Sequence, residues 1–153
     1  MNCCPCGWRA AWRNRPASAS GVRRSSRDRP EPLSSTGWGL SRDERLTSEA
    51  LAGLLRHAAR HPQGQQFIQS LSLAGVQGTA QRYGRDPRQA AHANAWLKTG
   101  TLRDVVGVAG YVNGPGGVRY AVVGFVNHPN ASAARPALEA LVEWAANLSD
   151  AAP

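Results

Sequence analysis

The chain has 153 residues, enough for one domain with its own core, and 42% of them are hydrophobic, within the range of globular proteins. Its formal charge of +8 is uneven: residues 1–30 hold seven arginines against the single acid Asp28, whereas residues 31–153 hold eleven positive and nine negative groups. The near-neutral body lacks the clustered basic face of a nucleic-acid groove, and no apolar run approaches the roughly 18 residues of a membrane span.

Residues 1–35 are rich in Arg, Ser and Pro and show no sustained periodicity, so they are expected to be a disordered tail. Pro5, Gly7 and Arg9 interrupt any apolar core of a signal peptide. Cys3, Cys4 and Cys6 fall short of the four ligands of a structural zinc site, and His57 is more than fifty residues away. They read as unpaired thiols. Order is expected from about residue 36 to 153, beginning within Thr36–Arg45.

Thr47 is a good N-cap, Glu49 suits the first turn, and Leu51, Leu54, Leu55, Ala58 and Ala59 recur at helical spacing up to His61-Pro62. A short second helix is predicted over Gln65–Leu71. Leu73–Thr79, with two glycines, reads as a turn, and the polar stretch Gly84–Ala93 as a loop. Strands are predicted at Trp96–Leu102, Val105–Asn113 and Val118–Asn127, the last two separated by the turn Gly114-Pro115-Gly116-Gly117. The third strand is apolar on both faces: Val118, Tyr120 and Val122 alternate with Ala121, Val123 and Phe125, as in a sheet covered on both sides. A helix over Ala133–Leu148 lines up Leu138, Leu141, Val142 and Ala145, with Glu139 and Glu143 off that face. The pattern predicts an α+β fold: three antiparallel strands, flanking helices and a C-terminal helix.

The segment Lys98-Thr99-Gly100-Thr101 lies on the first predicted strand. Lys-Thr-Gly is one of three motifs of penicillin-binding proteins and serine β-lactamases. In that chemistry Lys98 supplies a cation beside the nucleophile and the substrate carboxylate. The hydroxyls of Thr99 and Thr101 can bond that carboxylate. Gly100 lets a peptide approach as an added strand, and the Thr101 N–H points at the developing oxyanion. Taken alone the triplet is a weak signal, and its rival reading is a small non-catalytic α+β binding module with a chance Lys-Thr-Gly.

From about Gly39 onward the chain resembles the C-terminal part of the D-alanyl-D-alanine carboxypeptidase/endopeptidase family, the class C low-molecular-mass penicillin-binding proteins. Four segments carry the resemblance: Gly39-Leu40-Ser41-Arg42, Leu73-Ala74-Gly75-Val76-Gln77-Gly78-Thr79, Lys98-Thr99-Gly100-Thr101-Leu102 and Val108-Ala109-Gly110-Tyr111-Val112. The resemblance implies a partial transpeptidase-like domain, with Lys98 catalytic and Thr99, Gly100 and Thr101 substrate-binding. It also implies peptidoglycan D-Ala-D-Ala peptides as substrates, inhibition by β-lactams, and action in the periplasm or cell wall.

The sequence departs from the family where Thr36 and Trp38 stand in place of an aspartate and a serine. Lys98 is the only lysine and Ala95 lies three residues before it, so no Ser-x-x-Lys exists here; no Ser-x-Asn exists either. The expectation is a C-terminal piece of such an enzyme, inactive by itself. No metal or cofactor is expected, since His57, His61, His92 and His128 are scattered and read as solvated or capping residues. Trp96 is expected to pack on the sheet and Asp104 to serve the hairpin turn.

Overall fold

The computed structural model describes residues 46–149. The tail, the three cysteines and the Gly39–Arg42 segment lie outside the described residues.

Helix α1 spans Ser48–Arg60. Its start follows from Thr47, whose Oγ1 accepts the Ala50 N–H at 3.1 Å. It stops at His61, whose backbone is extended because Pro62 follows. His61 caps the exit, its Nδ1 accepting the Gln63 N–H at 3.2 Å. A six-residue helix, α2, follows at Gly64–Gln69.

The sheet has four antiparallel strands in sequence order: β1 (Ser72–Leu73), β2 (Ala95–Leu102), β3 (Val105–Asn113) and β4 (Arg119–Asn127). The last three are those predicted, with β2 starting one residue earlier than expected and β4 one residue later than its apolar run. The two-residue β1 went unpredicted: two residues carry no readable alternation, and only pairing with Leu97 and Trp96 makes them a strand. The β2–β3 turn has just two residues, Arg103 and Asp104, between the paired Leu102 and Val105. The Asp104 carbonyl accepts the His128 N–H at 2.9 Å, tying this hairpin to the end of β4.

Helix α3 (Arg135–Asn147) begins later than the apolar pattern suggested. A 3₁₀ turn occupies Ala131–Ala134, and Pro136, with fixed φ and no N–H, suits the first helical turn that follows.

Both faces of the sheet are covered. On one, Leu97, Val106, Val108, Val112 and Val122 pack against Leu138, Val142 and Ala145 of α3. On the other, Tyr111 packs with Leu55 of α1 and Ile68 of α2, with Trp96, Ala109, Ala121 and Val123 around them. Each fully buried aliphatic side chain here, such as Ile68 or Val142, contributes roughly 1.5–3 kcal/mol by leaving water. The double covering explains why β3 is apolar throughout. Tyr111 is fully buried and donates its hydroxyl to the Leu55 carbonyl at 2.7 Å, fastening α1 to the sheet.

Glu143, which the apolar pattern of α3 leaves off its packed stripe, is nonetheless held against the protein. It is half-buried, and its two oxygens accept the N–H groups of Ala90 at 2.8 Å and Ala91 at 3.1 Å. The polar loop before β2 is thereby pinned to α3. His92 is also less solvated than expected: half-buried, its Nδ1 lies 2.7 Å from the Gly84 carbonyl. Gly75 sits beside it at φ +73°, where a side chain would strike His92 and the Gly84 carbonyl.

Candidate functional site

β2 is flanked unequally. β3 pairs with it along its whole length, from Ala95 to Leu102. β1 covers only Trp96 and Leu97. Beyond Leu97 no strand among the described residues occupies the outer edge, so Lys98–Leu102 forms a sheet edge open to an added strand.

The hydrogen-bond parity of that edge can be read from its start. The Ala95 carbonyl accepts the Ala74 N–H at 2.9 Å on the β1 side, while the Asn94 carbonyl accepts the Asn113 N–H at 3.0 Å on the β3 side. Alternation along an antiparallel strand then turns the backbone N–H and C=O of Thr99 and Thr101 toward the open edge, and those of Lys98 and Gly100 toward β3.

Side chains alternate across the sheet. Lys98, Gly100 and Leu102 face the α1 side, where with Leu51, Val105, Ala109 and Phe125 they line a mostly apolar cleft of about 240 Å³. Lys98 is exposed, and its Nζ donates to the Thr99 carbonyl at 2.6 Å, bringing the cation round to the open edge. A Cβ built at Gly100 would meet nothing within 4 Å, so packing among the described residues does not require glycine there.

Thr99 and Thr101 face the α3 side. The Thr99 hydroxyl donates to Thr79 Oγ1 at 2.6 Å. Thr79 lies in the 3₁₀ turn Gly78–Arg82, which closes one end of the open edge. Three of the four sequence segments are thus assembled around β2: the turn ending in Thr79, the Lys98–Leu102 strand, and Val108–Val112 paired beside it. The fourth lies outside the described residues.

Sequence reasoning missed Arg82, Tyr83 and Arg135, which share a recess of about 60 Å³ with Thr79, Thr99 and Thr101. Burial pushes the Tyr83 phenol above its ordinary value; the Arg82 guanidinium opposes this, Glu139 adds to it, and Arg135 opposes it more weakly. Arg82 and Tyr83 end the 3₁₀ turn and Arg135 opens α3, and no local pattern announces that they share a recess. Trp96 packs on the sheet as expected, with the Arg119 guanidinium 5.7 Å from its ring. Among the described residues no three His, Cys, Asp or Glu side chains are grouped to hold a metal ion.

An open-edged Lys-Thr-Gly strand, backed by a terminal helix on one face and an apolar cleft on the other, defines the class of penicillin-binding transpeptidase-like domains. The chain belongs to the D-Ala-D-Ala carboxypeptidase 3 (S13) family, whose sequence profile matches residues 34–148. It is 29% identical over 91 residues to the D-alanyl-D-alanine carboxypeptidase DacB of Haemophilus influenzae, covering 60% of this chain. Among solved structures it is similar to penicillin-binding protein 4 (DacB) of the same organism. The form complexed with a β-lactam superimposes with a TM-score of 0.52 at 28% identity over 58% of this chain. Another structure of that protein gives 0.51 at 29% identity over 59%. The chain spans about a fifth of the length of these relatives, between 19% and 21%. These matches overturn the rival reading of an unrelated module with a chance triplet.

Proposed function

We propose that the chain carries the substrate-binding strand of a serine-type D-alanyl-D-alanine carboxypeptidase/endopeptidase. Its substrates are peptidoglycan stem peptides, met outside the cytoplasmic membrane. The observation that carries this reading is the open edge of β2 at Lys98–Thr101, with the backbone groups of Thr99 and Thr101 turned outward and Thr99 tied to Thr79.

On this reading a D-Ala-terminated peptide lies along β2 as an added strand. The Thr101 N–H faces the position where oxyanion charge develops. Lys98 is the catalytic cation of the site, held at the edge by the Thr99 carbonyl. The Thr99–Thr79 pair can reverse its sense, because hydroxyl hydrogens rotate. Thr79 then donates to Thr99, and Thr99 donates to the substrate carboxylate. The relatives are a carboxypeptidase and its β-lactam complex, which agrees with this use of the strand.

Acylation needs a nucleophile with a base in reach, and these 153 residues contain neither Ser-x-x-Lys nor Ser-x-Asn. By itself the chain therefore holds a peptide without cleaving it. The test is to add diacetyl-L-Lys-D-Ala-D-Ala to the purified chain, following both the amide resonances of Thr99–Thr101 and release of D-alanine. Binding that prefers this peptide over its L-Ala-L-Ala isomer, with no release, is the expected result. Equal binding of the two isomers would remove the proposed substrate class, and released D-alanine would reveal an unrecognised nucleophile.

A further inference from the structure

The sheet has a second open edge, on the side away from Lys98. β4 pairs with β3 from Arg119 to Asn127, and no strand among the described residues lies along its other side. The parity of that edge follows from the ends of the hairpin. The Gly114 N–H bonds the Val118 carbonyl at 2.7 Å and the His128 N–H bonds the Asp104 carbonyl at 2.9 Å, both in the β3–β4 register. Alternation then turns Tyr120, Val122, Gly124 and Val126 toward β3, and the N–H and C=O groups of Ala121, Val123 and Phe125 outward. Exposure agrees: β3, flanked on both sides, is mostly buried, whereas only Val122 of β4 is. Edge strands are commonly blunted by lysine, proline or a bulge. β4 has no lysine or proline, its pairing with β3 is unbroken, and its one charged residue, Arg119, stands at its end. The β2 edge is different: it opens only at Lys98–Leu102, carries a cation, and is closed at one end by the turn Gly78–Arg82.

We propose that β4 pairs with β4 of a second copy of this chain, antiparallel about a two-fold axis at Val123, joining two four-stranded sheets into one. The inference is independent of the peptide reading above. The outward groups are self-complementary in this register. Val123 meets Val123, Ala121 and Phe125 meet each other on both sides of the axis, and Arg119 meets Asn127, so no like charges oppose one another. Each of the central pairs, all of outward-facing residues, exchanges two backbone bonds, about six in all, within the roughly 5–15 of a specific interface. Phe125, 44% exposed, comes to lie beside the small side chain of the partner's Ala121. An isologous contact of this kind closes at two copies. It leaves both Lys98–Leu102 edges open at the far ends of the joined sheet. Pairing β4 with the β2 edge of the next copy would propagate without closing, and the short, charged, bounded β2 edge disfavours it.

The experiment follows the full chain, under reducing conditions, by sedimentation velocity and amide exchange over roughly 1–300 μM, a range that brackets the micromolar affinity of a small interface. A dimer should form as concentration rises. Exchange at Ala121, Val123 and Phe125 should slow by about tenfold in step with it, while Val122 and Gly124 stay protected throughout and Thr99 and Thr101 do not change. A121P removes one outward N–H and no bond to β3. F125K places a charge on the edge at an exposed position. Each should weaken the dimer about tenfold or more. The register is read by crosslinking in a C3S, C4S, C6S background. V123C should form a disulfide-linked dimer, because hydrogen-bonded partners lie about 5.5 Å apart, inside the disulfide range. F125C, displaced from its own counterpart by about 13 Å along the strand, should not. A chain that stays monomeric at the highest concentration overturns the proposal, whether the three outward amides exchange freely or are already protected by the chain's own residues. A dimer that protects Thr99 and Thr101 instead, a series of ever larger oligomers, or crosslinking through F125C and not V123C would overturn it equally.

Discussion

Thr99 and Thr79, twenty positions apart, are joined hydroxyl to hydroxyl at 2.6 Å. The bond links the open edge of β2 to the 3₁₀ turn that bounds it. It also orients the Thr99 hydroxyl, which lines the recess beside that edge. Thr79→Val keeps the shape and removes the partner. The pair is exposed, so the expected loss of stability is about 0.5–1 kcal/mol in urea unfolding. Binding of N-acetyl-D-alanine should weaken by a larger factor than that loss implies, because Thr99 loses its orientation. Unchanged binding would show that the bond has no part in carboxylate recognition.

Glu143 is the tie between α3 and the loop leading into β2. Replacing it by alanine leaves the N–H groups of Ala90 and Ala91 without their acceptors and should cost about 1.5–3 kcal/mol, the range for hydrogen bonds to a charged group. Glu143→Gln retains one acceptor oxygen and should recover part of the loss. Hydrogen exchange at Ala90 and Ala91 is the local readout and should accelerate in the alanine variant. If protection there is unchanged, the loop is held by other contacts.

Tyr111→Phe should destabilise the chain by about 1–2 kcal/mol, because the Leu55 carbonyl loses its buried donor while the ring packing with Phe67, 6.4 Å away and edge-on, is retained. A variant as stable as the parent would mean that water replaces the phenol.

Alkaline pH should unfold the protein through its tyrosines. Burial raises the phenols of both Tyr83 and Tyr111 above their ordinary value of 10. The folded state therefore holds these protons longer than the unfolded chain. Their contribution is fully present below pH 10 and is lost as the pH climbs from there through the folded values. Urea midpoints should be level between about pH 8 and 9 and fall above about pH 10, less steeply in Tyr111→Phe. A midpoint flat to pH 11 or so would contradict the burial of both phenols.

Incubation with a fluorescent penicillin, read by intact mass, should give no covalent adduct. Lys98 and the threonines can hold a carboxylate, but no serine in the chain stands in a Ser-x-x-Lys frame. An adduct at Ser41 or Ser72 would require an activating base that the sequence does not announce.

The sequence by itself determined what local physics determines. Thr47 and His61-Pro62 bound α1 because capping and pre-proline sterics act within a few residues. Period-two apolar alternation and the glycine-rich turn fixed β3 and β4 almost to the residue. The Lys-Thr-Gly run marked the candidate site, and its strand is β2 as the pattern around it implied. Tertiary structure alone decided the rest. β1 exists only through pairing with β2, and Glu143 is held inward by amides more than fifty residues away. Arg82 and Arg135 line one recess because a 3₁₀ turn and α3 lie over the same face of the sheet. These relationships depend on distances in space between residues remote in the chain, and no periodicity or short motif encodes such distances.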